Sequence, residues 1–188
     1  MNINPASRCL LIVSPKPTNM RKISLLILLT GSFLFIQAQK SSIDLAYIRN
    51  LHTDLNGFNV SYFQHFTERF TGGLELNRFP KKRKTIDGEE MDQSAWDFDL
   101  NIHYLIPLNK QWRIYPITGF SHTSENEESP NGNVFIKTRF FSFNTGAGIL
   151  YQAGKWAPHA EYLFTWGFTN QHFFLAGISY EIEWKKEK

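Results

Sequence analysis

The end of the chain alternates. From Gln171 to Trp184 one set of positions reads His172, Phe174, Ala176, Ile178, Tyr180, Ile182 and Trp184, and the other reads Phe173, Leu175, Gly177, Ser179, Glu181 and Glu183. Successive side chains of a β-strand point to opposite faces, so a period of two predicts a strand. One face is apolar and aromatic at its tip; the other is small or acidic. That division suits a strand with lipid on one side and a polar barrel interior on the other.

Seven earlier segments carry the same period, at 41–51, 57–66, 70–79, 96–108, 111–123, 137–151 and 156–168. Together they predict an all-β chain, an eight-stranded antiparallel up-and-down transmembrane β-barrel. The cleanest is 96–108, where Trp96, Phe98, Leu100, Ile102, Tyr104, Ile106 and Leu108 oppose Asp97, Asp99, Asn101 and His103. Connections at 67–69, 109–110 and 152–155 are tight, and so is 169–170. Those at 52–56, 80–94 and 124–134 are longer or more polar. Asn56-Gly57 reads as a turn pair. Pro116 lacks a ladder donor and predicts a local bulge.

Alternation alone leaves open which face is inside, and a soluble lipocalin-like barrel would turn the apolar face inward. Volume decides. An eight-stranded barrel is just wide enough inside for ordinary side chains, too narrow for so many rings. The face carrying Gly73, Gly119, Gly146, Gly148, Gly167 and Gly177 fits such a lumen, and the aromatic face is predicted to meet lipid. Outer-membrane barrels keep short turns and both termini in the periplasm and longer loops outside. That rule places 67–69, 109–110 and 152–155 in the periplasm and 52–56, 80–94 and 124–134 at the cell surface, with 169–170 as one short outer loop. Trp112, Trp156 and Trp184 then fall at the periplasmic rim, and Trp96 and Trp166 towards the other, as expected for rings that favour membrane interfaces.

The N-terminal segment stands apart from this pattern. Met20-Arg21-Lys22, an apolar run from Ile23 to Ile36, and Gln37-Ala38-Gln39 describe a secretory signal peptide, too short in its apolar part for a membrane-spanning helix. Cleavage is expected after Ala38 or Gln39, and translation is expected to start at Met20. The division is therefore 1–39, an upstream extension plus signal peptide, and 40–188, the barrel domain. Four of the 20 Lys and Arg (Arg8, Lys16, Arg21, Lys22) lie before residue 39, while all 17 Asp and Glu lie beyond it. The remaining chain has a formal charge of −1, which removes basicity as an argument for nucleic-acid binding. The single cysteine, Cys9, is in the leader as well, so the mature chain has neither a disulfide nor a thiolate metal site.

Over residues 41–184 the chain resembles the small bacterial outer-membrane β-barrel proteins of the OmpA/OmpX-like superfamily. Its C-terminal strand, with Gly177, Tyr180, Ile182 and Trp184, is similar to the signal read by the barrel-assembly machinery, although Lys185 to Lys188 follow and Leu175 stands where a polar residue is usual. The resemblance implies an outer-membrane location in a Gram-negative bacterium and contact with outer-membrane lipid and lipopolysaccharide. It implies no particular activity.

The inward set holds Asp44, Glu75, Asp97, Asp99, Glu161, Glu181 and Glu183, with Arg113, Tyr115, His65, His103 and His159. A buried guanidinium needs carboxylate partners, so an ion-pair network is expected to fill the lumen, with a narrow proton or ion pathway as the alternative. The basic run Lys81 to Lys84 and the acidic Asp87, Glu89, Glu90 and Asp92 make 80–94 a solvated loop whose halves attract one another; a binding epitope or a lipopolysaccharide-phosphate contact is the sharper reading. His122 and Ser124 share a face at the outer rim, near Glu125, Glu127 and Glu128. This is similar to the His-x-Ser motif of outer-membrane lipid A deacylases and would make a Ser-His-acid arrangement. The residues after the motif do not match, however, and it falls two strands early. The histidines lack metal-ligand spacing. No catalytic, cofactor or metal residue is assigned. The expected role is structural or surface-binding, in a monomer that presents 80–94 and 124–134, with a lipid A-modifying enzyme or a narrow ion pore as alternatives.

Overall fold

A computed structural model describes residues 40–86, 89–131 and 135–184. The expected signal peptide and upstream extension, and Lys185 to Lys188, lie outside the described residues. Eight antiparallel strands run in chain order: β1 Lys40–Asn50, β2 Leu55–His65, β3 Phe70–Ile86, β4 Glu89–Tyr104, β5 Trp112–Glu128, β6 Phe135–Tyr151, β7 Trp156–Gly167 and β8 Gln171–Glu183. Each pairs with the next, and β1 pairs with β8, Lys40 opposite Glu183, so the sheet closes. The expected eight-stranded up-and-down barrel is the observed fold.

The faces fall as the alternation predicts. Ile43, Leu45, Tyr47, Leu74, Leu76, Phe98, Leu100, Ile102 and Phe120 are exposed on the outside, while Asp44, Glu75, Asn77, Asp97, Asp99 and Asn101 are buried inside. Rings cluster in pairs at the tight-turn end: Phe70 with Tyr104, Trp112 with Tyr151, and Trp156 with Tyr180, their centroids 4.7–5.0 Å apart. At the opposite end Trp96 meets His122 and Trp166 meets Phe164. These are two aromatic girdles around an apolar belt, the exterior of a membrane-spanning barrel.

The segments expected to be loops differ from the expectation. β3 continues to Ile86 and β4 begins at Glu89, so most of 80–94 is strand; β5 continues to Glu128, which takes in the start of 124–134. Register explains why. Arg83 opposes Asp92, Asp92 opposes Glu128, and Glu128 opposes Phe135. Each strand supplies its neighbour's backbone partners, and polar side chains on both faces do not prevent a ladder.

Prolines also act differently from the expectation at Pro116. The β4–β5 register is the same at His103–Ile117 and at Ile106–Ile114, so there is no bulge. The absent N–H interrupts the ladder beside Leu105, whose own N–H turns to the Arg69 carbonyl at 2.7 Å. The one-residue shift lies instead between Phe79 and Lys82, at Pro80. Asn56 and Gly57 are inside β2, and the turn before it is made by Asp54 in the left-handed region, φ 51°.

Candidate functional site: the lumen and the projecting sheet

The bore is built in layers. At the tight-turn end is an open vestibule of about 640 Å³, its walls including Lys40, His65, Arg69, Arg113 and Glu181. A deeper cavity of about 60 Å³ adjoins it, lined by Asp44, His103, Tyr115, His159 and Glu161 among others, and sharing His65, Arg113 and Glu181 with the vestibule. Next comes a packed polar belt. Asn59 donates to Asn77 Oδ1 at 2.7 Å and to Glu75 Oε2 at 3.3 Å, Asn101 donates to Glu75 Oε1 at 2.7 Å, Asn77 donates to Asp99 Oδ2 at 2.8 Å, and Asn144 donates to Asn101 Oδ1 at 3.1 Å.

Beyond the belt, Ile48, Leu55, Phe79, Phe173 and Leu175 form an apolar plug, each at most 4% exposed. Phe79 of β3 and Phe173 of β8 put their ring centroids 6.1 Å apart. Past the plug, Asn50 donates to Gln171 at 2.9 Å, and Gln171 Nε2 donates to Glu125 Oε1 at 2.6 Å. That chain of bonds ties β1 and β8 to β5 on the far side of the barrel.

The expected ion-pair network is not what fills this space. Arg113 bonds Gln152 at 3.4 Å and pairs with no carboxylate among the described residues. Glu181 and Glu183 pair instead with Lys40 at the rim, at 2.8 and 3.3 Å. The five deeper carboxylates (Asp44, Glu75, Asp97, Asp99 and Glu161) meet asparagine amides, hydroxyls and histidines. His159 Nε2 lies 3.3 Å from Asp44 Oδ2, His103 Nε2 lies 3.9 Å from Glu75 Oε1, and Tyr115 donates to Glu161 at 2.7 Å. Asparagine explains the substitution. A short amide satisfies a carboxylate within a narrow bore, whereas an arginine fork would need room for its whole stem.

The outer-rim motif is not assembled into a hydrogen-bonded triad. His122 packs against Phe141, centroids 4.6 Å apart, and its Nδ1 has no hydrogen-bond partner; Ser124 Oγ is buried without one. Glu125 turns inward to Gln171, Glu127 accepts from Gln93, and Glu128 pairs with Lys81. None of the three orients the imidazole. Among the described residues no three His, Asp or Glu side chains converge as a metal site.

Outside the closed part of the barrel, β3 to β6 continue together. They are 16 or 17 residues long, against 11 to 13 for the other four strands. A tilted membrane-spanning strand needs about 9–11 residues, so these four outrun the apolar belt by about 20 Å at the rise of a strand. The result is a projecting four-stranded sheet whose two edges have no paired strand among the described residues: β3 beyond Arg78, where pairing with β2 ends, and β6 before Ser142, where pairing with β7 begins. Lys82 fastens the first edge to Asp54 at 2.7 Å, Arg83 pairs with Asp92 at 3.1 Å, and Lys81 pairs with Glu128. The basic run thus ties hairpins together, partly within its own hairpin as expected and partly across to others.

This architecture has solved counterparts. Ail, the attachment invasion locus protein of Yersinia pestis, in its complex with the heparin analogue sucrose octasulfate, superposes with a TM-score of 0.57 at 16% identity, covering 76% of this chain and 98% of that one. The N-terminal β-barrel domain of Pseudomonas aeruginosa OprF gives 0.59 at 14% identity, covering 77% and 98%. OprG of the same organism gives 0.55 at 11%, covering 78% and 97%. The fold is that of the small outer-membrane β-barrels. The sequence itself matches no protein-family model and no curated relative.

Proposed function

We propose that this outer-membrane barrel is a scaffold that binds at the surface of a Gram-negative cell through the sheet raised by β3 to β6. In this reading the chain is exported by its signal peptide and inserted as a monomer by the barrel-assembly machinery through β8. It sits in contact with outer-membrane lipid and lipopolysaccharide, its turns at 67–69, 109–110 and 152–155 in the periplasm and its projecting sheet outside.

The observation that carries the reading is the unequal treatment of the two open edges. The β3 edge is blunted by Pro80, a bulge and four consecutive basic residues, the devices that prevent edge pairing. The β6 edge, Phe135-Ile136-Lys137-Thr138-Arg139-Phe140-Phe141, has no proline or bulge and exposes Phe135, Ile136 and Phe141. An edge of this length with no proline or bulge, and with two spaced cations where the β3 edge has four in a row, accepts an added strand, with main-chain bonds supplying affinity. The Ala153–Trp156 pair fixes the alternation on β6: Ala153 donates away from β5, to Trp156, while Gln152 donates towards β5, to Gln111. Counting back by twos, Lys137 and Arg139 also direct their N–H groups to the open edge.

Cells displaying the full chain are tested for adherence to immobilised serum protein and to immobilised heparin. Arg139→Pro removes an edge donor without touching the ladder to β5, and Arg139→Ala removes only the cation. Loss of protein adherence with Pro and not with Ala supports strand addition. Equal loss with both, on heparin, points to recognition of a sulfated polyanion, the class of ligand in the Ail complex. Full adherence of both variants would end the surface-edge reading.

A further inference from the structure

The cavity above the vestibule has a charge problem that its own side chains leave unsolved. Among the described residues no Lys or Arg lies within 4 Å of Asp44, Glu75, Asp97, Asp99 or Glu161; the basic groups at that range are His159 and His103, while Arg113 lines the cavity without pairing to a carboxylate. An unneutralised carboxylate in a narrow, protein-lined bore is costly. Three of the five, Glu75, Asp97 and Asp99, belong to the packed belt, two of them bonded by asparagine amides. Asp44 and Glu161 differ, because they face open space. Asp44 Oδ1 has no hydrogen-bond partner although its side chain is only 9% exposed, and His103 Nε2, at 7%, has none either. Both residues line the same cavity.

We propose that this cavity is a binding site for a small monovalent cation, an alkali ion or a primary ammonium group, entering from the tight-turn end. Asp44 Oδ1 and Glu161 accept hydrogen bonds from an ammonium group or from the water of an alkali ion, and Tyr115 and Phe63, both packed on the His103 ring, complete the wall. A cavity of about 60 Å³ exceeds the ~10–15 Å³ of probe-centre volume needed for one water, so the ion keeps part of its hydration. That matters because no three His, Asp or Glu side chains converge among the described residues, and the inner shell is completed by water. Access is one-sided. The vestibule leads in, and the Phe79–Phe173 plug with the Asn50–Gln171–Glu125 bridge closes the other end. At the entrance Lys40 is paired with Glu181 and Glu183, and Arg113, which lines vestibule and cavity alike, bonds Gln152, so an entering cation passes one guanidinium before it reaches the deeper carboxylates.

The test uses the full barrel refolded in lipid nanodiscs and its crystals. Rubidium chloride and ethylammonium chloride serve as separate probes. In solution, backbone amide resonances of Ser42, Asp44, His103 and Glu161 are expected to shift saturably, and Asp44→Asn and Glu161→Gln each weaken the apparent affinity at least tenfold. Asp54→Asn, far from the cavity, leaves it unchanged. Crystals soaked in rubidium chloride are expected to give an anomalous peak between Asp44 and Glu161. Saturation by rubidium alone identifies an alkali site, and by ethylammonium alone an amine site. Shifts confined to Glu181 and Glu183, or unaltered binding in either folded cavity variant, would overturn the assignment. Folding of each variant is read from its faster migration before boiling. Should one variant fail to fold, the other variant and the position of the rubidium peak decide.

Discussion

Lys82 holds Asp54 twice: its Nζ lies 2.8 Å from the Asp54 backbone oxygen and 2.7 Å from Oδ2. Arg49 takes the other carboxylate oxygen at 2.7 Å. The Lys82 hydrogen bond, and then that from Arg49, hold the Asp54 carboxyl below its ordinary range. A carboxyl depressed in the folded state contributes stability that is present above the unfolded value, about 4, and is lost as pH falls through the lower folded value. Hydrogen-exchange protection factors in the Leu51–Asp54 turn and along Lys82–Lys84, taken relative to the intrinsic rate at each pH, are therefore expected to be high at neutral pH and to fall only below about pH 4. Asp54→Asn, which keeps the left-handed turn residue, should exchange quickly at every pH. Equal protection of this variant and the wild type at pH 7 would show that the clasp does not order the hairpin.

Leu100 and Asn101 are neighbours with opposite fates, one 52% exposed and the other fully buried. Leu100 stands between Leu74 and Phe120 on the belt. An arginine there would face hydrocarbon, at a cost of about 2–4 kcal/mol near the bilayer midplane. Urea titration of Leu100→Arg in lipid vesicles should show that loss, and much less in detergent, where the bilayer is absent. A change below about 1 kcal/mol in vesicles would contradict the outward assignment of this face.

Tyr115 joins two contacts, a 2.7 Å bond to Glu161 and a stacked ring on His103 with centroids 5.1 Å apart. Tyr115→Phe keeps the stack and leaves Glu161 without its donor, which should cost about 1–3 kcal/mol. Gly148 is the floor beneath the ring, since a Cβ there would meet the Tyr115 ring carbons and hydroxyl. Gly148→Ala should displace the ring and cost a similar ~1–3 kcal/mol. Both changes remove the same bond, so the double variant should lose clearly less than the sum. Strict additivity in equilibrium unfolding would mean that Gly148 does not position Tyr115.

The strands and their faces were legible because the period of two is a local property: Leu100 and Asn101 reveal their sides from sequence alone. The long hairpins were harder. Lys81 to Lys84 look like solvated loop, and only the opposing rows Asp92, Glu128 and Phe135 make them strand. Pro80 and Pro116 are the same residue type with different consequences. A proline whose missing N–H faces a partner can be absorbed by a register shift or by leaving the ladder open, and sequence carries no sign of the choice. The cavity was partly visible as a set of inward residues. That Arg113 would reach Gln152, and asparagines would take up its expected carboxylates, depended on stem lengths in a bore whose width is set only by closure. The plug was visible as phase, since Ile48, Phe79, Phe173 and Leu175 all fall on the inward set, but nothing in the pattern placed them at one height.

That height controls whether the bore conducts. Asp44, Glu161 and the belt carboxylates line the path on one side, and the apolar barrier is the contact of Phe79 with Phe173, backed by Ile48, Leu55 and Leu175. An apolar constriction blocks ions by excluding their water, whatever the charge on either side. Trimming both rings to alanine removes that constriction but leaves the carboxylates. The wild-type barrel in a planar bilayer is then expected to pass no current above noise, and Phe79→Ala with Phe173→Ala to open a small conductance. The carboxylates should make that current cation-selective, seen as a reversal potential near the cation limit under a potassium chloride gradient. Adding Asp44→Asn and Glu161→Gln should move it towards zero. The Asn50–Gln171–Glu125 bridge and the packed asparagine–carboxylate belt remain in all of these variants, so silence of the folded double-alanine barrel would place the barrier at one of those two layers. In that event Gln171→Ala, which cuts both hydrogen bonds of the bridge, decides between them: current appears if the bridge is the barrier, and silence leaves the belt.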